Sequence, residues 1–161
     1  MSFIKNFDWT KINYVLRGIL VGVFVSIFVS LFRFSISYAF DLTLNIYDFL
    51  ANNPIWILGW VIVSLGVAFI LAMFLRDEPN IGGSGIQDLE GQLHGTIKIR
   101  WFSVLWRKFI GSVLSIGSGL ALGREGPSIQ IGGVVGQGVN AFLKGNRTQE
   151  NILTSAARRL V

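Results

Sequence analysis

The sequence predicts an all-α integral membrane fold with tilted and broken helices. Three observations support this prediction: the composition, the distribution of charge and the glycine content. Hydrophobic residues make up 52% of the 161-residue chain and charged residues 14%, well below the roughly one quarter of charged residues that is usual in a soluble domain. The charges are clustered, so long uncharged stretches remain. The 19 glycines suit membrane helices whose backbones approach closely.

Four apolar segments are predicted to span the membrane, at residues 14–40, 55–75, 103–122 and 128–143. About 20 apolar residues cross a bilayer, and the first segment exceeds a signal peptide and has no convincing cleavage site. Before it, residues 1–13 are predicted to be an interfacial segment because they combine tryptophan with lysine. Residues 41–54 are predicted to form a connection, and Pro54 to open the second helix.

Two glycine-rich breaks interrupt the apolar pattern. Gly83-Ser84-Gly85 precedes a predicted half-helix at residues 86–93, which is too short to span a bilayer. Residues 123–127, Gly-Arg-Glu-Gly-Pro, precede a helix predicted to begin at Pro127. A helix amino terminus carries unpaired N–H groups and a partial positive charge. Two half-helices that point at one another within the membrane therefore predict a site for a small anion.

Ser84 and Glu125 are the candidate site residues on these two breaks. A serine hydroxyl donates a hydrogen bond to an anion without adding charge. The carboxylate of Glu125 competes with a diffusing anion, and when it takes a proton and swings away it couples protonation to anion movement. The residue types leave simpler alternatives open: an exposed turn at 123–127, an N-cap role for Ser84, and an ordinary surface pair of Glu90 and His94.

The basic residues predict the orientation of the chain. Its net charge is +5, and lysine and arginine lie before the first span, between the second and third, and after the fourth, whereas residues 41–54 have none. The positive-inside rule then places the amino terminus in the cytoplasm and residues 41–54 outside. The basic residues form no stripe with interleaved aromatic residues, so a nucleic-acid partner is not predicted.

The residue inventory narrows the chemistry. With no cysteine there is no disulfide, thiol catalysis or thiolate metal site, and a single histidine does not build a metal cluster. We predict no metal and no cofactor. We also predict no enzyme, because Ser84, Asp88 and His94 lie on or beside one short helix, where a base and its orienting acid need not converge on the serine.

The two breaks together resemble motifs of the CLC family of chloride channels and proton-coupled chloride antiporters. Residues 83–86, Gly-Ser-Gly-Ile, are followed by Glu90-Gly91 and then by residues 123–133, Gly-Arg-Glu-Gly-Pro-Ser-Ile-Gln-Ile-Gly-Gly, in the order and separation of that family. The resemblance implies part of a CLC-type inverted-repeat architecture. It also implies chloride and protons as substrates, a surrounding lipid membrane, expected to be the plasma membrane, and a homodimer with one pore in each subunit.

The resemblance also implies the site residues. The chloride-binding set would be Ser84, Gly85, Ile86, Arg124, Glu125 and Gly126. Within it, the hydroxyl of Ser84 coordinates the central chloride, as in chloride-preferring members, and Glu125 is the gating glutamate and proton acceptor. Gln87 departs from the proline that the family commonly has there, which leaves fine selectivity open. The choice between channel and antiporter also stays open.

The resemblance extends over nearly the whole chain but over only the first part of a family member. After Ala157 the family continues with small residues, whereas this sequence reads Arg-Arg-Leu-Val at residues 158–161. An alternative expectation follows, in which the chain is a truncated or frameshifted fragment that inserts in the membrane without transporting.

Overall fold

The computed structural model describes residues 9–94, 96, 97, 99–143 and 154, with the side chains of the first helix described from Val15 onward. This part of the chain is built from α-helices and two 3-10 turns, and no strand occurs in it. The α-helices are α1 (Trp9–Asn52), α2 (Ile57–Asp77), α3 (Ile86–Leu93), α4 (Trp101–Gly117) and α5 (Glu125–Phe142), and the 3-10 turns are Pro54–Trp56 and Pro79–Ile81. The all-α prediction is confirmed.

α1 is much longer than predicted. Its 44 residues make a helix of about 66 Å at 1.5 Å per residue, whereas a hydrocarbon core is about 30 Å thick. The connection predicted at residues 41–54 is wrong for residues 41–52, because these residues continue α1. The aspartates make this stretch more polar, but no glycine or proline interrupts the helix before Pro54. Of the predicted interfacial segment, residues 9–13 belong to α1, and residues 1–8 lie outside the described residues.

The core is the packing of α1, α4 and α5. α1 contributes a stripe of buried residues at helical spacing, Val21, Val25, Val29, Phe32 and Ile36. The ring of Phe32 meets that of Phe109 on α4 edge to face, with centroids 5.4 Å apart. α5 is the central helix, because every residue from Gln130 to Gly138 is buried.

α1 and α2 are the two helices of the described residues that are long and apolar enough to cross a membrane. Val15–Asn52 has a mean hydropathy of 2.4 and Pro54–Asp77 one of 2.6. α2 has no buried residue. A helix that is apolar all round and that the described residues leave uncovered needs an apolar environment, which is lipid or further protein.

The helices around the second break begin and end at other residues than predicted. α4 ends at Gly117 rather than at residue 122, and Gly119, with φ +89°, turns the chain in a conformation that only glycine adopts readily. α5 begins at Glu125 rather than at Pro127. The N–H groups of a helix's first turn have no intrahelical partner, so a proline is tolerated throughout that turn.

Candidate anion site

α3 and α5 bring the two glycine-rich breaks into contact. A Cβ atom on Gly126 would lie 2.9 Å from both Cα and Cβ of Ser84, and one on Gly133 would lie 2.6 Å from Cδ2 of Leu89. These contacts advance along both helices in the same direction. The two helices therefore run side by side with their amino termini at the same end. The prediction that they point at one another is wrong, because sequence spacing does not fix the relative direction of two helices.

The loop before α3 takes its shape from two glycines with positive φ, Gly83 at +58° and Gly85 at +70°. Gly85 is the N-cap of α3, and a side chain at this position would overlap that of Gln130. Ser84 therefore stands one residue before the N-cap position. Its Oγ accepts a long 3.4 Å hydrogen bond from the N–H of Ile86, which leaves the hydroxyl hydrogen free to donate.

Lys108 on α4 binds the carbonyl groups of this loop. Its Nζ donates to the carbonyl oxygen of Ile81 at 2.7 Å and to that of Gly83 at 2.8 Å. The residue is buried, with 4% of its surface exposed. Because a trans peptide holds its C=O and N–H in opposite directions, the bond to the Gly83 carbonyl turns the N–H of Ser84 away from Lys108.

A second buried side chain acts in the same way from α5. Nε2 of Gln130, a residue without exposed surface, donates to the carbonyl oxygen of Asn80 at 2.7 Å. The loop thus has three carbonyl groups bound by side-chain donors. By contrast, no backbone carbonyl of the described residues accepts a hydrogen bond from the N–H of Gly83 or Ser84.

The start of α5 adds further unpaired donors. The N–H groups of Glu125 and Gly126 belong to its first turn, where a helix offers no acceptor. Gly83, Ser84, Glu125 and Gly126 all line one cavity of about 650 Å³ between α2, α4 and the two helix starts. Free N–H groups and bound carbonyls give this end of the cavity a positive polarity, which suits a small anion.

The rest of this cavity is largely apolar. α2 contributes Leu71, Ala72 and Leu75 to its wall, whereas α4 contributes polar residues, which are Arg107, Lys108, Ser112 and Ser115. Apolar walls exclude water, which strengthens the attraction between an anion and oriented donors.

Glu125 lines this first cavity and also a second one of about 380 Å³ against α1. The second cavity is formed by Ile36, Ser37 and Phe40 of α1 together with the segment that leads into α5, including Arg124. Glu125 and Arg124 are both exposed. Two cavities are therefore within reach of one carboxylate.

The predicted site residues thus fall into two groups. The structure brings Ser84, Glu125 and Gly126 together at the first cavity. Gly85 instead packs on α5, Ile86 begins α3, and Arg124 lines the second cavity. Among the described residues there is no group of three or more side chains suited to hold a metal ion.

Sequence reasoning missed Lys108 and Gln130. Lys108 reads as the end of a basic stretch that flanks the third apolar segment, although it lies inside α4. The position of Lys108 within the predicted apolar segment could have indicated its role, because an ionisable residue within an apolar helix needs partners. Gln130 gives a weaker signal of the same kind, as an amide within the fourth apolar segment.

Fold and site together define an all-α membrane protein in which two helix amino termini meet at an internal cavity. The family model described as "Voltage gated chloride channel" matches residues 63–158. This chain belongs to the voltage-gated chloride channel family, whose members are integral membrane proteins, and the resemblance seen in the sequence is confirmed.

Similar proteins include transporters from bacteria. The chain is 42% identical over 108 residues to the H(+)/Cl(−) exchange transporter ClcA of Vibrio parahaemolyticus and 39% identical to that of Vibrio vulnificus. Each match covers 65% of this chain and 23% of the relative, so the chain spans less than a quarter of the relatives' length.

A solved structure extends the comparison to three dimensions. The crystal structure of a slow cyanobacterial Cl−/H+ antiporter matches with a TM-score of 0.81 and 29% sequence identity. The match covers 91% of this chain and 36% of the antiporter chain. These similar proteins are named as transporters and not as enzymes.

Proposed function

We propose that this chain forms part of the chloride pathway of a proton-coupled chloride transporter. The observation that carries the proposal is the contact between Gly126 and Ser84, which gathers the free N–H groups of two helix starts at one cavity. Helix amino termini attract anions, and a serine hydroxyl adds a donor without charge. The H(+)/Cl(−) exchange named for the Vibrio relatives supplies the substrates, chloride and a proton.

Ser84 binds chloride through its hydroxyl and its N–H in this proposal. Gly126 offers a backbone N–H beside it, and its lack of a side chain allows the close approach. Gly85 and Ile86 hold the start of α3 in position, and Arg124 adds positive charge next to Glu125.

Glu125 is the gate and the proton carrier. When ionised, its carboxylate occupies the position that an anion would take at the start of α5. When protonated, it loses its charge and its attraction to the free N–H groups, and the neutral carboxyl moves to the second cavity. A chloride ion then takes its place, so proton uptake and chloride entry are coupled.

The remaining expectations become part of the same proposal. α4 and α5 lie within the membrane with α1 and α2, the amino terminus is cytoplasmic, and the complete transporter is a homodimer in the plasma membrane. The uncovered apolar surface of α2 and the excess of basic residues around the predicted cytoplasmic ends support this arrangement.

The test uses an antiporter chimera, in which this chain replaces the segment of the cyanobacterial antiporter that it matches. In liposomes, we expect the chimera to exchange chloride for protons. We expect the E125Q chimera to move chloride without protons, because glutamine mimics the protonated carboxyl. D48N on the exposed surface of α1 is the matched control and should keep the coupling.

Two outcomes would overturn the proposal: a helical, monodisperse chimera without chloride flux, or an E125Q chimera with unchanged proton coupling. The same liposomes test the alternative of a membrane segment that does not transport. The chain by itself should give no chloride efflux, because it spans only part of the antiporter. If chain and chimera both fail while the parent antiporter transports, the alternative is supported.

A further inference from the structure

Glu78 is a buried carboxylate that lies outside the cavity. It directly follows α2, and its side chain is 4% exposed. Its Oε1 accepts a hydrogen bond from Nδ2 of Asn80 at 2.9 Å. Its Oε2 accepts two bonds from Arg100, from Nε at 3.1 Å and from Nη2 at 2.8 Å, and Ser103 on α4 bonds the same carboxylate. Glu78 therefore joins the end of α2 to the start of α4.

The same carboxylate holds the Ser84 loop, which we define as residues 79–85. Asn80 lies in the 3-10 turn that opens this loop. Its side chain is bonded by Glu78, and its backbone carbonyl is bonded by Gln130 of α5. One residue is thus fixed from two sides, by the end of α2 and by the central helix.

Gln130 depends on this arrangement in turn. Its Oε1 is buried and has no partner among the described residues, so the bond from its Nε2 to Asn80 is the hydrogen bond that holds its side chain. A buried amide with one unmet acceptor gains most when its remaining bond is well aligned. Displacement of Asn80 would leave both ends of Gln130 unsatisfied.

We propose that Glu78 is a positioning residue that sets the orientation of the Ser84 loop and, through it, the selectivity of the site among monovalent anions. The proposal rests on the chloride-binding function proposed above. Gly83 and Gly85 restrain the loop little, because glycine adopts many backbone conformations. The bonds of Glu78, Gln130 and Lys108 supply the restraint that the loop's own residues lack.

Selectivity depends on this restraint for a simple reason. Oriented N–H groups at fixed distances favour an ion of one size and charge density, and a loop that rotates adapts to several. Rotation of a peptide plane also turns a carbonyl toward the anion, which weakens the binding of compact chloride more than that of larger, more weakly hydrated anions.

Asp77 provides a matched control next to Glu78. It is an acid at the end of the same helix, with a side chain 60% exposed, and it pairs with Arg107 at 3.4 Å. No hydrogen bond joins it to the Ser84 loop in the described part of the chain. Because Asp77 is exposed and its ion pair is long, the pair contributes little. Loss of a negative charge at this end of α2 is therefore separable from loss of the contact with Asn80.

The first experiment measures relative fluxes of chloride, nitrate and iodide through the antiporter chimera. We expect E78Q to lower the preference for chloride over iodide by about two- to tenfold, the range that corresponds to one net hydrogen bond. Q130L, which keeps the volume and removes the donor, should act in the same direction. D77N should leave the preference unchanged, and none of the three variants should abolish proton coupling, because Glu125 is intact.

The second experiment uses the purified chain in detergent and measures amide hydrogen exchange. The amides of Ile81 and Gly82, which donate to the carbonyl oxygens of Glu78 and Pro79, should exchange faster in E78Q and Q130L than in the unsubstituted chain or D77N. Protection of α5 in all of these proteins shows that the variants fold. An E78Q chimera with unchanged selectivity would overturn the positioning role, as would D77N with an equal effect. An unsubstituted chimera without flux would overturn the proposed function alone, because hydrogen exchange requires no transport.

Discussion

Lys108 and Gln130 set the polarity of the candidate site at the scale of single residues. Both are buried donors that bind carbonyl oxygens of the Ser84 loop. An anion site made of backbone N–H groups works only if the carbonyls of the same peptides point elsewhere. The two side chains fulfil this condition without themselves having to touch the anion.

Replacement of Lys108 by methionine tests this role. K108M removes the hydrogen bonds to the carbonyl groups of Ile81 and Gly83, and each such bond contributes about 0.5–1.5 kcal/mol. We expect a lower Tm of the purified chain and weaker chloride binding by the antiporter chimera. K108R keeps the charge and a donor, and it should recover part of both. A K108M chain as stable as the unsubstituted one would contradict the assignment.

Glu78 predicts a loss of stability in acid. Burial raises the pKa of Glu78, but hydrogen bonds from Asn80, Ser103 and Arg100 and the charge of Arg100 lower it more, so the pKa lies below its ordinary value of 4.5. A depressed folded-state pKa means that the stabilisation is complete above the unfolded-state pKa and disappears as the pH falls through the folded-state value.

Thermal unfolding of the purified chain in detergent from about pH 7 to about pH 3 measures this effect. The Tm of the unsubstituted chain should fall at the acid end, and E78Q should lack that part of the fall, because it has no carboxyl to protonate. D77N is the control and should follow the unsubstituted chain. An equal pH dependence in E78Q and the unsubstituted chain would be inconsistent with the prediction.

At the scale of elements, the second half of α1 supports the segment that leads to Glu125. The hydroxyl of Tyr47 donates to the carbonyl oxygen of Ser118 at 3.2 Å, and its ring packs edge to face on Trp60 with centroids 5.8 Å apart. A Cβ on Gly119 would lie 3.6 Å from that hydroxyl oxygen. The residues predicted as a connection therefore form a helix that supports the turn before Glu125.

Close packing of α1 on α4 predicts a sensitive glycine at Gly117. A Cβ at this position would lie 2.5 Å from Cβ of Ala39, an atom that moves only with the backbone of α1. We expect G117A to lower the free energy of unfolding by about 1–3 kcal/mol, because the helices must separate. The matched control is G66A on α2, where nothing lies within 4 Å and alanine should stabilise the helix by up to about 1 kcal/mol. Chemical unfolding in detergent measures both, and equal effects would contradict the packing.

At the scale of the whole molecule, the described residues leave α2 uncovered. This helix has no buried residue, and the chain spans 36% of the antiporter whose fold it shares. Its apolar surface is covered by lipid or by further protein. Within the described residues, the helix therefore contributes no buried residue to the core.

The proposed orientation of the chain in the membrane can be tested by cysteine labelling. The chain has no cysteine, so single-cysteine variants need no background substitution. A membrane-impermeant maleimide should label N53C in intact cells, because residues 41–54 carry no basic residue and are expected outside. It should label T96C only after permeabilisation. The reverse pattern of labelling would refute the cytoplasmic amino terminus.

The sequence by itself determined the membrane class, the family, the bounds of α3 and three of the residues at the cavity, Ser84, Glu125 and Gly126. All of these depend on local properties: hydropathy, charge clusters, and glycine or proline at a helix start. Composition gave a wrong end for the first helix, because a polar stretch without glycine or proline remains helical. α1 therefore continues to Asn52. The start of α5 was also predicted two residues too late, because a proline is compatible with any position in the first turn of a helix.

Only the tertiary structure decided that α3 and α5 lie side by side and that Lys108 and Gln130 bind the carbonyls of the Ser84 loop. Lys108 lies 27 and 25 residues from its two acceptors and Gln130 lies 50 residues from its own. Such contacts depend on which helix faces meet, and no local pattern encodes that. The polarity of the cavity therefore arises from packing. The partner that binds the carbonyl oxygen of a peptide fixes the direction in which the N–H of the same peptide points.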